Sequence, residues 1–498
     1  MSKSFSRAEV AKNNTEASAW IIIDSIVYDI TRFAGMHPGD ATEAFYDLHR
    51  HEVLEKFGPK LKLGQVEGES QKIIKMNFAD YSPVPYAEHP SVVGFKSPYY
   101  TQKHLEYRTV CRNFVAKHVL PDALACEETG ARPSKELVKL LGEEGYLAAR
   151  LGPGKHLKGL KLPGGIKPEE FVTHLSFVSK LSVVRVMCRG YADGNSGGMV
   201  IGLPPVFNFG SKALKEKIVG PVLRGEKYIA LAISEAFAGS DVAGLKTRAE
   251  KSPCGKFYIV NGTKKWITGG MYADYFSTAV RTDKGITMLL IERGEGVRTK
   301  QISTSYSKTA GTAYIIFENV KVPVENILGV ENKGFQVVMS NFNHERWVMC
   351  VGSVRGTKSI IEECFKWANQ RKVFGRPLIN QPVIRQKLAS MVALSEALQH
   401  WLDHTTFQMN NLSYFEQATK LAGSLALLKY QCTRVGHYVS DNAVQIFGGR
   451  GITRTGMGRV IEGFQRTNKF DAILGGSEEI LADLGIKQAV KNFPNTRL

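Results

Sequence analysis

Apolar positions change their spacing along the chain, and the changes mark out its units. Trp20-Ile-Ile-Ile-Asp-Ser-Ile-Val-Tyr-Asp-Ile30 reads as a short hairpin, followed by Thr31 to Gly39 and a helical stretch to about Phe57. Pro83, Pro85, Pro90 and Pro98 interrupt a stretch of little periodicity, so residues 69–98 read as a linker. From 99 to 228 the spacing is mostly helical, as in Gln102 to Leu120 and in Ser134 to Tyr146, with Gly145 near its end. Lys158 to Lys167, rich in Gly and Lys, reads as a surface loop. From 229 to 335 the texture is that of strands: Phe257-Tyr-Ile-Val, Tyr275-Phe-Ser-Thr-Ala-Val and Ile286-Thr-Met-Leu-Leu-Ile lie between turns. From 336 to 492 it is helical again, with few breakers before Gly448. The pattern predicts a multidomain chain, mainly α with a central β domain, preceded by a small unit over residues 17–68.

Composition narrows the class. A chain of 498 residues holds several domains, and 43% apolar content suits sizeable cores. No run of about 18 apolar residues predicts a membrane span. Seven scattered cysteines without a close CxxC pair argue against a zinc site and for a reducing compartment. The formal net charge of +18 favours a polyanionic partner: nucleic acid, anionic membrane or a phosphate-bearing ligand. It is spread along the chain, as on a solvated basic surface. Residues 1–16 are polar, include Glu9 and Glu16, and make a poor signal or presequence. The ending Asn495-Thr-Arg-Leu498 approaches the small-basic-Leu peroxisomal pattern. An intracellular protein is expected, in the peroxisome or cytoplasm, with the mitochondrion as the alternative.

The candidate chemistry centres on two segments. Ala230-Leu-Ala-Ile-Ser-Glu-Ala-Phe-Ala-Gly-Ser-Asp-Val-Ala-Gly-Leu245 opens as an apolar strand and closes in a turn of small and hydroxyl residues. Asn261-Gly-Thr-Lys-Lys-Trp-Ile-Thr268 is a turn feeding a strand. Residues two apart in a strand share a face, so Trp266 and Thr268 are expected to present a ring and a hydroxyl to one ligand. The plain alternative is a hairpin with a buried Trp. Together the segments resemble the flavin-binding signatures of the acyl-CoA dehydrogenase family, with Ala236-Phe237 where members usually have Pro-Gly. The resemblance covers about 100–492. It implies a helical N-terminal domain, a β-barrel-like middle domain and a C-terminal four-helix bundle. It also implies FAD, an acyl-CoA substrate, and a homodimer or homotetramer. An electron-transfer flavoprotein, a haem partner or oxygen would accept the electrons.

The same resemblance assigns residues. Leu231 to Ser240, including Ile233, Ser234 and Gly239, would run along the flavin, with Trp266, Ile267 and Thr268 beside it and Ser240 near the acyl-CoA. Gln370-Arg-Lys-Val-Phe-Gly-Arg-Pro-Leu378 and Gln381 resemble the stretch whose Arg and Phe, here Arg371 and Phe374, reach a neighbouring subunit's cofactor. Asn442-Ala-Val-Gln-Ile-Phe-Gly-Gly449 resembles the segment that meets the dinucleotide across that interface, with Gln445, Gly448 and Gly449. A planar Arg suits pyrophosphate, and paired glycines permit close backbone approach. Ser477-Glu-Glu479 resembles the helix start beside the flavin, with Ser477 and Glu479 as contacts; it also reads as an ordinary N-cap.

Such a dehydrogenation needs a carboxylate to take the α-proton. Many members carry a Glu just before Gly-Thr/Ser, where this chain has Gly475. A minority, resembling the isovaleryl and long-chain enzymes, carries the base on an earlier helix, where Glu345 stands in Asn341-Phe-Asn-His-Glu-Arg-Trp347. Phe335, Val338, Met339, Phe342 and Met349 mark an apolar face with Glu345 and Arg346 on it or at its margin. A carboxylate there needs a partner or a function, so Glu345 is read as the base or as half of an ion pair with Arg. Arg346 and Asn343 are the substrate-binding candidates.

Residues 17–68 resemble a cytochrome b5 haem-binding domain: Val27-Tyr-Asp-Ile-Thr-Arg-Phe33, His37-Pro-Gly39, Asp40-Ala-Thr-Glu-Ala-Phe45 and His49. The resemblance implies haem b with His37 and His49 as axial ligands, with His51 the lesser candidate. The helical segment that usually separates His-Pro-Gly from Asp-Ala-Thr is missing, so a haem-free remnant stays open. Alternatives of the same fold are an acyl-CoA oxidase and a DNA-binding flavoprotein resembling an alkylation-response protein. No concentrated Lys/Arg helix or tail favours the latter.

Overall fold

A computed structural model of the chain describes residues 3–33, 39–73, 79–175, 189–491 and 493–494. The small N-terminal sheet begins earlier than the expected hairpin. Ser4–Phe5 pairs in parallel with Gln65 and Val66, and the helix Arg7–Lys12 follows it. The hairpin itself is Ser18–Ile23 against Ile26–Asp29. Its turn residues Asp24 and Ser25 both take positive φ, 47° and 64°, as a tight hairpin requires. Gly39–Asp40 joins the sheet beside Ile21 and Ile22, and the helix Thr42–Leu48 starts almost directly afterwards. Glu52–Leu61 then covers the same apolar face of Ile21, Ile23, Ile26 and Tyr28.

The proline-rich stretch is not a free tether. Residues 79–98 carry little regular structure beyond the turn Pro90–Val92, yet Ser82, Ala87, Glu88 and His89 are buried. Glu88 accepts from Arg108 at 2.6 Å and Arg112 at 2.8 Å, while His89 Nε2 meets Asp403 at 2.8 Å. Burial opposes the Glu88 charge, but Arg355, Arg108 and Arg112 hold its carboxylate down to about 2. Four prolines exclude a helix; side-chain pairing fastens the strap instead.

Helices including Gln102–Phe114, Lys135–Glu143 and Lys212–Leu223 form the next layer. They pack against a strongly curled sheet region. Its path runs Val297–Gln301, Ala313–Pro323, Phe257–Ile267, Arg248–Lys251, Tyr275–Thr282, Gly285–Glu292, Ile327–Leu328. Ile229–Ala232 pairs in parallel with Tyr275–Thr282. Residues Tyr275 to Val280 are buried on both faces, and the two hydroxyls in the run are satisfied there, Ser277 by the Gly202 carbonyl at 2.7 Å and Thr278 by the Phe276 carbonyl at 3.1 Å. The C-terminal domain is built on the long helices Phe342–Gln370, Pro382–Asn411 and Ala422–Phe447, completed by Arg459–Ile473 and Glu478–Lys491. Trp347 sits in its core and donates from Nε1 to Thr406 Oγ1 at 2.9 Å. Among the described residues, no helix is long and apolar enough to cross a membrane.

Candidate active site

The two signature segments meet through a buried ion pair that the sequence reading did not anticipate. Glu235, just past the strand Ile229–Ala232, accepts from the backbone N–H of Lys246 at 2.7 Å and of Thr247 at 2.9 Å. Its third partner is Lys264 Nζ at 2.9 Å, which also donates to the Ile233 carbonyl at 2.9 Å. Lys264 has no solvent exposure. Burial lowers its affinity for a proton to about 8, with Glu235 opposing that shift. One ammonium therefore clamps residues 233–235 to the second signature strand. No sequence spacing signals a pair so far apart in the chain.

A β-bulge lies next to the clamp. Ala313 pairs with Ile267 and Ile315 with Lys264, so Lys265 and Trp266 together face Tyr314. Trp266 takes φ 68°, rare for a bulky residue, and the Lys265 N–H donates to the Ser234 carbonyl at 2.8 Å. The bulge corrects the expected alternation. Trp266 is 49% exposed, whereas Thr268, beyond the end of the strand, is buried, so the two do not share a face as ladder neighbours. Lys265 Nζ lies 4.5 Å from the Trp266 ring centroid, so the Trp is not simply a core residue. Ile233 and Ile267 are buried, while Leu231 and Ser234 are half-buried. Gly239 and Ser240 are exposed in the following turn, where Asp241 caps Gly244.

Glu345 lies in the first turn of the helix Phe342–Gln370 and is buried. Its Oε1 accepts from Asn341 Nδ2 at 3.1 Å. Burial pushes its carboxyl up to about 7, against the smaller opposing effects of Asn341 and Arg346. Arg346 is buried, its guanidinium 5.4 Å from the Phe342 ring centroid. Asn343 donates to the Gln417 carbonyl at 3.0 Å and so ties this helix to the turn that leads into Ala422–Phe447. Gly475 faces this region: a Cβ there would lie 2.8 Å from the sulfur of Met349, one turn beyond Glu345. Gly475 and Gly476 both take positive φ, and buried Lys429 pins their turn by donating to the Gly476 carbonyl at 2.7 Å. Lys429 is another functional candidate missed in sequence, where it looks like any lysine of a helix.

The dinucleotide candidates form a more open group. Lys372–Val373 and Arg376–Pro377 make a hairpin. Phe374 and Gly375 at its tip take φ 50° and 73°, and Phe374 is 94% exposed. Arg371 precedes it, half-buried, and Gln381 caps the helix Pro382–Asn411. Gln445, Gly448 and Gly449 are exposed at the end of Ala422–Phe447. A Cβ at either glycine would touch nothing, and Gly448 has φ 62°. This open glycine edge and the half-exposed Trp266 suit a long flat cofactor. Ser477 caps the last helix; Glu479 is exposed and Glu478 buried, so the carboxylate turned inward is not the one expected as a contact.

In the small domain, His51 Nδ1 lies 2.8 Å from the Tyr46 hydroxyl and the rings stack. That engagement leaves His49, at the C-cap of Thr42–Leu48 with its ring 5.0 Å from Phe45, as the better ligand candidate. His37 lies outside the described residues, as does the chain end 495–498.

Comparison with known proteins settles the class. Family models for the acyl-CoA dehydrogenase N-terminal, middle and C-terminal domains match residues 101–226, 230–320 and 332–490. A cytochrome b5-like heme/steroid binding domain model matches residues 6–67. The acyl-CoA dehydrogenase apdG of Emericella nidulans is 36% identical over 426 residues, covering 83% of this chain and 97% of that protein. The acyl-CoA dehydrogenase AFT10-1 of Alternaria alternata is 35% identical over 84% of this chain and 98% of its own length. A solved acyl-CoA dehydrogenase complexed with FAD, from Bacillus anthracis, superposes with a TM-score of 0.70 at 27% identity, covering 80% of this chain and 68% of that one. The chain belongs to the acyl-CoA dehydrogenase family, in a form fused to an N-terminal cytochrome b5-like domain.

Proposed function

We propose that the protein dehydrogenates an acyl-CoA thioester between its α and β carbons, giving the 2-enoyl-CoA, with Glu345 as the base. The observation that carries this reading is the buried Glu345 carboxyl pushed up to about 7, one helical turn from Met349, whose sulfur faces Gly475, the position where many relatives carry their base. FAD bound along Leu231–Ser240 and Trp266–Thr268 supplies the acceptor for the β-hydride. Asn341 fixes one Glu345 oxygen, so the other takes the α-proton. Arg346 and Asn343 line the acyl-CoA side. The bulge presents the Trp266 ring, and the Glu235–Lys264 clamp keeps the two signature segments in register. Arg371 offers a planar cation to the pyrophosphate, and Gly448 and Gly449 admit the dinucleotide closely. In a homodimer or homotetramer these would serve the neighbouring subunit, as the exposed Phe374 hairpin suits. If the small domain holds haem b, His37 and His49 would be its ligands and it would supply a one-electron carrier; otherwise the domain is a haem-free remnant.

Anaerobic titration of the purified protein with acyl-CoAs of varied length and branching tests the reading. Bleaching of the flavin with one equivalent of a preferred acyl-CoA is expected; no bleaching with any of them refutes it. Slow recolouring on admission of air marks a dehydrogenase that uses a protein acceptor, whereas fast recolouring with peroxide marks the oxidase.

A further inference from the structure

The small N-terminal domain grips the dehydrogenase body at a telling place. Arg50, between the two histidines 49 and 51, is largely withdrawn from solvent. Its Nη1 donates to Glu363 Oε2 at 2.6 Å and to the Met457 carbonyl at 3.3 Å. Glu363 lies toward the end of the helix that runs into Arg371 and the Phe374 hairpin. Met457 lies in the turn that follows Gly448–Ile452. One guanidinium thus ties the helix that leads into the first of the two segments read above as meeting the dinucleotide to the turn that follows the second.

Further ties run along the same seam. The Gln370 side chain donates to the Tyr46 carbonyl, and Lys372, the first hairpin residue, pairs with Glu43. Beyond the second segment, Arg459, which opens the helix Arg459–Ile473, donates from Nη2 to Glu52 at 2.6 Å. The two segments are also locked to each other. Trp367 stacks on Phe447 at 5.2 Å, and the Arg450 guanidinium lies 5.2 Å from the Trp367 ring.

We infer that Arg50 is a positioning residue for the dinucleotide end of the flavin site, through which the small domain sets FAD affinity without touching FAD. The inference rests on the cofactor reading of Arg371, Phe374 and Gln445–Gly449. A hairpin of two short strands is marginal alone, and an unheld one must be ordered when ligand binds. Gripping Glu363, Gln370 and Lys372 from behind removes part of that cost beforehand. Gripping Met457 and Arg459 does the same for the glycine loop.

The test uses full-length chain stripped of flavin and titrated with FAD by fluorescence. Arg50→Glu sets a carboxylate against Glu363 and is expected to weaken FAD affinity roughly tenfold, the scale of re-ordering one short segment. Adding Glu363→Arg restores opposite charges and is expected to recover most of the loss. Unchanged affinity in Arg50→Glu overturns the inference. So does a loss that Glu363→Arg does not relieve, because that marks a general folding defect. Arg371→Ala separates this from the reading beneath it. Full affinity in Arg371→Ala overturns the cofactor reading, whereas loss there beside unchanged affinity in Arg50→Glu overturns the positioning role alone.

Discussion

Two glutamates, one in the middle domain and one in the C-terminal bundle, show the same small solvent exposure, Glu345 the more deeply packed, and behave in opposite ways. Glu235 and Glu345 are each 8% exposed. Burial raises both carboxyls, but Glu235 is overcompensated by Lys264 and two backbone N–H groups and ends below its ordinary value. Glu345 accepts from the Asn341 side chain, with Arg346 opposing only weakly, and is displaced from 4.5 to about 7. Burial alone therefore does not mark a base. A carboxylate saturated with donors is a scaffold, and one left short of them is poised to exchange a proton near neutral pH.

Removing each group should separate the two roles, and the largest effect belongs to Glu345. Glu345→Gln keeps the shape and the Asn341 contact but cannot take the α-proton. Flavin reduction in rapid mixing should fall roughly 10²- to 10⁴-fold, with FAD and acyl-CoA binding kept. A near-normal rate would move attention to Glu479 or His344. Lys264→Met should do the reverse: it strands Glu235 without its cation and should destabilise the protein by about 3–5 kcal/mol. Thermal unfolding and FAD retention read that loss. The pH dependence of the remaining flavin reduction should not move, since the base is untouched.

The pH dependence sharpens the same contrast. The rate of flavin reduction should fall about tenfold per pH unit below about 7 and level off above it, because only ionised Glu345 accepts a proton. For stability the sign is opposite. The folded chain holds the Glu345 proton more tightly than the unfolded chain. The resulting stabilisation is complete below about pH 4.5 and is lost as pH rises through about 7. At 1.36 kcal/mol per pH unit, the full displacement corresponds to about 3 kcal/mol. Glu345→Gln stays neutral and escapes the loss. Its unfolding temperature should therefore gain on the parent between pH 5 and 8, and a constant difference across that range would refute the assignment.

The sequence disclosed these regions unevenly, for physical reasons. Family resemblance singled out Glu345, with the missing side chain at Gly475 pointing the same way, and helical spacing added an apolar stripe that the structure breaks: Phe335 and Met339 are exposed on a separate helix, Gly334–Ser340, while Glu345 itself is buried. The stretch around Phe374 is singled out in the sequence by its resemblance to a family segment, but its hairpin and two left-handed tip residues are not. The Trp266 bulge was invisible, since a one-residue insertion into a ladder leaves no mark on apolar spacing. Glu235 and Lys264 are brought together only by the curl of the sheet, so neither looked special alone. The proline-rich stretch looked like a linker because its ties are side chain to side chain, through Glu88 and His89, and have no period.

The smallest effect tests whether the two placements of the base are interchangeable here. Family resemblance suggests that Gly475→Glu could rescue Glu345→Gln, since relatives use both positions around one substrate carbon. The structure argues otherwise. Gly475 holds φ 67°, where a side chain costs on the order of 1–3 kcal/mol, and its Cβ would stand 2.8 Å from the Met349 sulfur. Strain and that contact together should keep the double variant within a few-fold of Glu345→Gln alone. Adding Met349→Ala removes the contact but not the backbone strain, so recovery should rise by only about tenfold. Full rescue by Gly475→Glu without any change at Met349 would show that the turn pinned by Lys429 can rearrange. It would also show that the buried face of Glu345 is not the sole place from which this site can take a proton.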